Sequence, residues 1–303
     1  MAQSLSAAQT DRAVGAFIGL AVGDAVGTTL EFSTRDSRPP LTDMVGGGPF
    51  QLKPGEWTDD TSMAIALAES LIAKPDFDAR DLMSRFVNWW RHGQYSVTGE
   101  CFDIGMTTRE ALGSFEAGGS PFAGSTDPMS AGNGSLMRLS PVALWGLGRP
   151  REQVRQVARD QSRTTHAAAQ CLDACEGYTA ILIEAIVSGE FSGALKTGEQ
   201  CEVDPPISTI LSRGWQGKAR HQIASSGYVA HSLEASLWCI DETQDFASAV
   251  LLAANLADDA DTTAAITGQL AGALYGKSGI PQSWLDRLAW REELESLALR
   301  LID

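Results

Sequence analysis

Two segments of this chain carry glycine at every fourth residue: Gly15, Gly19, Gly23 and Gly27 in the first, Gly268, Gly272 and Gly276 in the second. A spacing of four keeps the glycines on one face of a helix. Each costs a helix about 1 kcal/mol relative to alanine, so a repeated stripe needs a compensating gain. Close approach of two helix backbones supplies one, because small residues spaced by four leave no side chain between them. The stripes therefore predict that these two helices touch. Elsewhere alanine and leucine recur at three- and four-residue intervals around 63–73, 80–90, 151–160, 166–187, 230–240, 246–256 and 262–275. Alternating strand patterns of useful length are absent, and the expected fold class is all-α.

Acidic clusters stand beside these segments. Thr58-Asp59-Asp60-Thr61 follows a glycine- and proline-bearing loop, and Asp258-Asp259-Ala260-Asp261-Thr262-Thr263 leads into the second stripe. Each precedes an alanine-rich helical stretch, which puts it at a helix N-terminus. The positive end of a helix offers only about half an elementary charge. A hard divalent cation offers two and prefers carboxylate, hydroxyl and water oxygens. Two readings stay open from the residues alone. Asp and Thr are favoured N-caps, and they are also the donor set of an oxygen-ligand metal site. Asp259 and Asp261 are two apart and diverge on a regular helix, so they converge only from a loop or a distorted first turn. Contact between the glycine stripes would bring both clusters into one region.

Composition limits the alternatives. The 303 residues carry a formal charge of -15, which argues against nucleic acid as a partner. No proline- or serine-rich linker divides the chain, so one domain over 1–303 is expected. Five cysteines occur without a C-x-x-C pair, and Cys171 and Cys175 share a helix face; the pattern fits reduced thiols in the cytoplasm rather than a disulfide framework. The N-terminus is short and polar, unlike a secretory leader. The apolar run Ala13 to Gly23 falls below the roughly 20 residues of a membrane span. Four scattered histidines do not make a zinc pattern.

Two loops attract attention. Residues 33–56 form a long segment rich in glycine and proline, the kind that serves as a lid or binding loop. Ala131-Gly132-Asn133-Gly134-Ser135-Leu136-Met137-Arg138 is a second candidate: its glycines would let backbone N–H groups approach a ligand, and a helix opening at Ser135 would face an anion. It is neither a P-loop nor a Rossmann fingerprint. Arg138 reads equally as support for an anion or as a surface arginine. Trp57 reads as a buried aromatic beside the first acidic cluster, and His231 as packed or exposed.

Taken together, these segments resemble the ADP-ribosylglycohydrolase family, bacterial members above all. The resemblance rests on Gly15-Ala-Phe-Ile-Gly-Leu-Ala-Val-Gly-Asp-Ala-Val-Gly27 with Glu31, Trp57-Thr-Asp-Asp-Thr-Ser-Met63, Phe102-Asp-Ile-Gly105 and Gly132-Asn-Gly-Ser-Leu-Met-Arg138. It continues through Thr165-His166, the run from Ser226 to Trp238, and Asp259-Ala-Asp-Thr-Thr263, in the order and spacing of the family. The resemblance implies a compact all-α fold around a dinuclear Mg2+ or Mn2+ centre. By position, Thr58, Asp59, Asp60, Asp259, Asp261 and Thr262 match metal ligands. Glu31 matches an acidic residue at the metal site, and Asp103 an active-site carboxylate; either would serve as general acid or base. Gly132, Asn133, Gly134 and Ser135 match the segment that holds the diphosphate, His166 a substrate contact, and Tyr228 a residue bordering the pocket.

The chain departs from the family at two places. Ala257 and Asp258 stand where glycines usually open the last acidic motif, and Met106 stands where many relatives carry Asn. Asp258 reads as solvated or capping. The implied reaction is metal-dependent hydrolysis of the bond at the anomeric carbon of ADP-ribose, with arginine the favoured acceptor. Partners would be an ADP-ribosylated protein or an ADP-ribose-containing small molecule, without membrane, and the chain a monomer. Hydrolysis of a serine linkage or of O-acetyl-ADP-ribose, a non-catalytic ADP-ribose-binding role and a toxin-immunity role are the competing readings.

Overall fold

The computed structural model describes residues 5–74 and 76–303. Its helices in chain order are α1 (Ala7–Gly27), α2 (Asp59–Ala73), α3 (Ala79–His92), α4 (Met106–Glu116), α5 (Ser140–Trp145), α6 (Arg151–Arg163) and α7 (Ala169–Ser188). There follow α8 (Phe191–Glu199), α9 (Ile207–Leu211), α10 (Val229–Asp241), α11 (Phe246–Ala254), α12 (Ala260–Tyr275), α13 (Gln282–Leu285) and α14 (Arg291–Ile302). No strand occurs among the described residues; three isolated β-bridges tie loops together. The fold is all-α.

The centre of the molecule is the pair α1 and α12, which make the most extensive helix–helix contact. Their glycines meet backbone to backbone. A Cβ on Gly15 would lie 2.5 Å from the Gly272 carbonyl oxygen, one on Gly19 2.2 Å from that of Gly268, and one on Gly27 2.3 Å from that of Ala260. No side chain fits at such separations, so the stripes are the condition for the crossing. Both helices are buried on all sides over most of their length, with α7, α10 and α11 packed around α12, and α2 and α14 against α1. An N-terminal capping box sets the start of α1: Ser6 Oγ accepts from the Gln9 N–H, and Gln9 Oε1 accepts from the Ser6 N–H.

Burial in this core also revises the membrane argument. The segment Ala7–Leu30 is long and apolar enough to span a bilayer by composition, longer than the run from Ala13 to Gly23 suggests, and 94% of its most apolar window is buried inside the protein. It is a core helix. The N-terminal residues 1–4 lie outside the described residues, and with them part of the leader reading.

The antiparallel pairing of the two glycine stripes decides where the acidic clusters go. Asp24 and Glu31 lie at the C-terminal end of α1, beside the N-terminus of α12 that carries Asp259 and Asp261. The N-terminus of α2 joins them through hydrogen bonds to Asp24.

Candidate metal centre and active-site cleft

Seven carboxylates converge here. Asp24, Asp60 and Asp261 each offer an oxygen within 4.8 Å of the others, and so do Glu31, Asp259 and Asp261. Asp261 belongs to both groups. Asp59 and Asp103 complete the set along the wall of a cleft of about 640 Å³, within the roughly 300–1,000 Å³ common for small-ligand sites. Glu31, Asp59, Asp103, Asp259, Asp261 and Thr262 line this cleft. Thr58 and Asp60 lie beneath its floor, fully buried.

Burial and mutual repulsion push these acids up. Asp103 rises to about 11, first through burial and then through Asp59 and Asp261. Asp24 and Asp259 rise to about 7, by burial and then Asp261. Glu31 is raised by burial and then Asp261, and Asp59 and Asp60 stand well above the carboxylate range for the same kind of reason. A cation among them would let the cluster ionise at lower pH.

The hydrogen bonds separate anchors from free donors. Asp24 accepts from the N–H and the hydroxyl of Thr58 at 2.9 and 3.0 Å on one oxygen. Its other oxygen accepts from the N–H and hydroxyl of Thr61 at 3.0 and 2.6 Å. These donors engage both oxygens of Asp24, so Asp24 locks the first turn of α2. Asp60 is the opposite case. Its Oδ1 is buried without any hydrogen-bond partner, while Oδ2 shares the one Thr58 hydroxyl proton with Asp24, at 3.2 Å, and weakly accepts from the Thr262 hydroxyl at 3.4 Å. An orphaned carboxylate oxygen inside an acidic cluster fits a hard cation. Asp24 escaped the sequence reading, although a carboxylate in the last turn of α1, the negative helix end, was a signal.

Glu31 has a double duty. Its Oε2 accepts from the Ala260 N–H at 2.7 Å and the Asp261 N–H at 3.3 Å, capping α12 from outside the helix. Asp259 stands at the N-cap but makes no side-chain cap bond, which leaves its carboxylate for the cleft. The backbone enters α12 through two residues in the left-handed region, Ala257 (φ 60) and Asp258 (φ 63). This explains why glycines usually stand there. The Asp258 side chain is exposed, in line with the solvated reading. Asp103 also has positive φ, 59.

The glycine loop differs from expectation in three respects. No helix opens at Ser135; the segment is a series of turns in which the Leu136 and Met137 N–H groups bond the Asn133 carbonyl, and α5 begins only at Ser140. Ser135 is fully buried away from the cleft, its hydroxyl 2.7 Å from that of Ser162. Arg138 is neither at the surface nor facing an anion. It is 0% exposed, lies over the Phe86 ring, and donates to Gln161, Thr165 and the Gly134 carbonyl. The sequence could not reveal this, because a buried arginine needs the whole surround of acceptors that only the fold supplies.

Asn133 lines the cleft, yet its amide is engaged by protein, donating to Asp259 Oδ2 at 2.7 Å and to Ser232 Oγ at 2.8 Å. It orients an acidic residue. Gly132 and Gly134 make room for the His166 ring, which would come within 3.2 and 2.7 Å of their Cβ atoms. His166 lines the cleft. Tyr228 does not; it borders an adjoining cavity of about 600 Å³ that shares Thr107, Gly132 and Gly227 with the cleft. Met106, at the start of α4, is 76% exposed on the cleft rim. Trp57 is buried as expected, and His231 is half-buried, its Nδ1 paired with the Ser226 hydroxyl.

A family model described as ADP-ribosylglycohydrolase matches residues 5–303. The chain belongs to the ADP-ribosylglycohydrolase family. Within it, the chain is similar to the ADP-ribosylarginine hydrolase Tri1 of Pseudomonas putida (strain GB-1), 46% identical over 97% of this chain and 78% of that protein. It also resembles the hydrolase of the same name from Serratia proteamaculans (strain 568), 44% identical over 96% of this chain and 79% of the other. The ADP-ribosyl-dinitrogen reductase glycohydrolase of Rhodospirillum rubrum is 34% identical over 94% and 92%. A solved structure titled ADP-ribosylglycohydrolase-related protein complex superposes with a TM-score of 0.86 at 40% identity, over 97% of this chain and 98% of the other.

Proposed function

We propose that this family member is a hydrolase that removes ADP-ribose from modified arginine side chains, and that it works with two divalent ions, Mg2+ or Mn2+. The observation that carries the metal reading is the pair of carboxylate groups sharing Asp261, one of which holds the orphaned Asp60 oxygen. The arginine linkage draws support from the two relatives named for ADP-ribosylarginine. In this reading Asp59, Asp60, Asp259, Asp261, Thr58 and Thr262 hold the ions, and Asp24 holds the ligand loop. The 1–303 chain acts as one soluble cytoplasmic unit, a monomer.

Bound there, the ions would supply positive charge at the reacting centre and acidify a water. The protein's own residues do the rest. Asn133 fixes Asp259, and Glu31 fixes the first turn of α12, so the acidic groups meet the substrate in one arrangement. Between the two candidate proton carriers the geometry favours Asp103. Glu31 has one oxygen committed to α12 backbone N–H groups, whereas among the described residues no backbone N–H bonds the Asp103 carboxylate, which opens on the cleft. Asp103 can then give a proton to the departing guanidine nitrogen as oxocarbenium character builds at the anomeric carbon.

The test is release of free ADP-ribose from arginine- and serine-ADP-ribosylated proteins, each with Mg2+, Mn2+ or a chelator. Metal-dependent release from arginine alone is the expected result. Release from serine instead would overturn the linkage, and release undiminished by chelator would overturn the metal reading.

A further inference from the structure

Arg138 is a fully buried cation with no carboxylate partner among the described residues. Burial lowers its pKa to about 9, still leaving it charged at neutral pH. Such a group is costly to keep, so its contacts are informative. Its Nη1 donates to the Gly134 carbonyl at 3.1 Å, and its Nη2 to the Gln161 carbonyl at 2.9 Å and the Thr165 hydroxyl at 3.0 Å. The Thr165 oxygen lies 2.8 Å from His166 Nδ1. Among the described residues, Arg138 and His166 are the hydrogen-bond partners of that hydroxyl.

Proton counting then settles the direction. A guanidinium only donates, so the Thr165 oxygen accepts from Arg138. The single hydroxyl proton has one acceptor in reach, His166 Nδ1. A ring nitrogen that accepts carries no proton, which puts the imidazole proton on Nε2. Backbone bonds hold the residue and packing holds the ring. The His166 N–H donates to the Ser162 carbonyl at 2.7 Å, its own carbonyl accepts from the Ser162 hydroxyl at 2.7 Å, and its ring fills the space left by Gly132 and Gly134. Nε2 has no protein hydrogen-bond partner among the described residues, and His166 lines the cleft. Burial, and then the Arg138 charge, lower the imidazole to about 3, so it is neutral in use.

We infer that Arg138 and Thr165 form a tautomer lock: together they hold His166 with its proton on Nε2, as a neutral donor to an acceptor oxygen of the nucleotide-sugar ligand. Arg138 and Thr165 are positioning residues, since they act through His166. The inference rests on the ADP-ribose reading of the cleft for the ligand, though not for the tautomer. It also gives the glycine loop a second purpose. By bonding the Gly134 carbonyl, Arg138 couples the loop to the same lock.

The test is nitrogen NMR of histidine-labelled full-length protein, with His166 assigned by comparison with His166→Gln, and calorimetric titration with ADP-ribose. Wild type should show His166 as a neutral ring protonated at Nε2. Thr165→Val keeps the side-chain shape but removes the hydroxyl; it should give a mixture of tautomers and weaken ADP-ribose binding by about tenfold, the scale of one hydrogen bond. Thr165→Ser should restore both. Arg138→Met, where it folds, should move the His166 titration upward. A wild-type proton on Nδ1, or a Thr165→Val protein with unchanged spectrum or unchanged affinity, overturns the inference. Absence of ADP-ribose binding in wild type would count against the proposed function instead, and the ligand-free spectrum would still decide the tautomer.

Discussion

Replacing Gly268 by alanine separates two opposite expectations. In an exposed helix the change stabilises by about 1 kcal/mol through helix propensity. At Gly268 the new Cβ would stand 2.0 Å from the Gly19 carbonyl oxygen and 2.8 Å from its carbon. Real Cβ atoms essentially never approach below 3.0 Å, so α12 must retreat from α1 by at least 1.0 Å, the difference between 3.0 and 2.0 Å. The obstacle is backbone, which no rotamer change relieves. Overpacking costs about 1–3 kcal/mol and more where nothing yields, and the retreat also loosens the neighbouring turns at Gly19 and Gly272. Net destabilisation of about 2 kcal/mol is expected, or a fall of roughly 3 °C in Tm for a chain of this length. Urea and thermal unfolding followed by circular dichroism measure it. Gly113→Ala in α4 is the control, since a Cβ there meets nothing within 4 Å, and it should stabilise. A Gly268→Ala protein as stable as wild type, or more so, would refute the argument. Gly27→Ala extends it to function. Its Cβ would lie 2.3 Å from the Ala260 carbonyl oxygen and 2.5 Å from Asp261 Cα, so the first turn of α12 must shift. Metal affinity should fall further than stability does.

Other outcomes follow from the site. Asp259→Asn should abolish metal-dependent ADP-ribose release while the circular dichroism spectrum stays helical. Its exposed neighbour changed likewise, Asp258→Asn, should alter metal affinity by no more than about twofold, the scale of a solvated charge. Asp24→Asn, compared by denaturation with metal present, should destabilise by about 3 kcal/mol, because an amide leaves buried Thr61 or Thr58 donors unpaired. In chelator, stability should decline as pH rises from about 4 to about 7. Asp24 and Asp259 are raised from 3.8 to about 7 in the fold, so the folded state binds more protons across that window and loses the advantage as they ionise. Added Mg2+ should flatten or reverse the slope in thermal melts; a slope indifferent to metal would speak against a cation among these carboxylates.

Periodic features were readable in the chain because each obeys a local rule. Glycine every fourth residue pointed to close backbone approach as the compensation for lost helix propensity, and α1 meets α12 in that way. Carboxylates at the first turns of α2 and α12 left an oxygen-ligand site and helix capping both open, and the motif order pointed to the family. Helices with weaker patterns, α4, α8 and α14, were passed over, because their apolar faces become meaningful only against neighbours. The site residues divide in the same way. Glu31 was legible as acidic chemistry, but its capping of α12 depends on a turn after α1 reaching a helix more than two hundred residues away. Asp24 hid inside a glycine stripe. Ser135, Asn133 and Arg138 sat together in one loop motif, and nothing local says that the first points inward, the second holds Asp259 and the third is sealed beside Phe86. What the sequence determined by itself were residue types and their periodicities, which control helix formation and the class of ligand. Which oxygen is satisfied and which is left open was decided only in the tertiary structure, because a hydrogen bond depends on partners that the chain brings together from far apart.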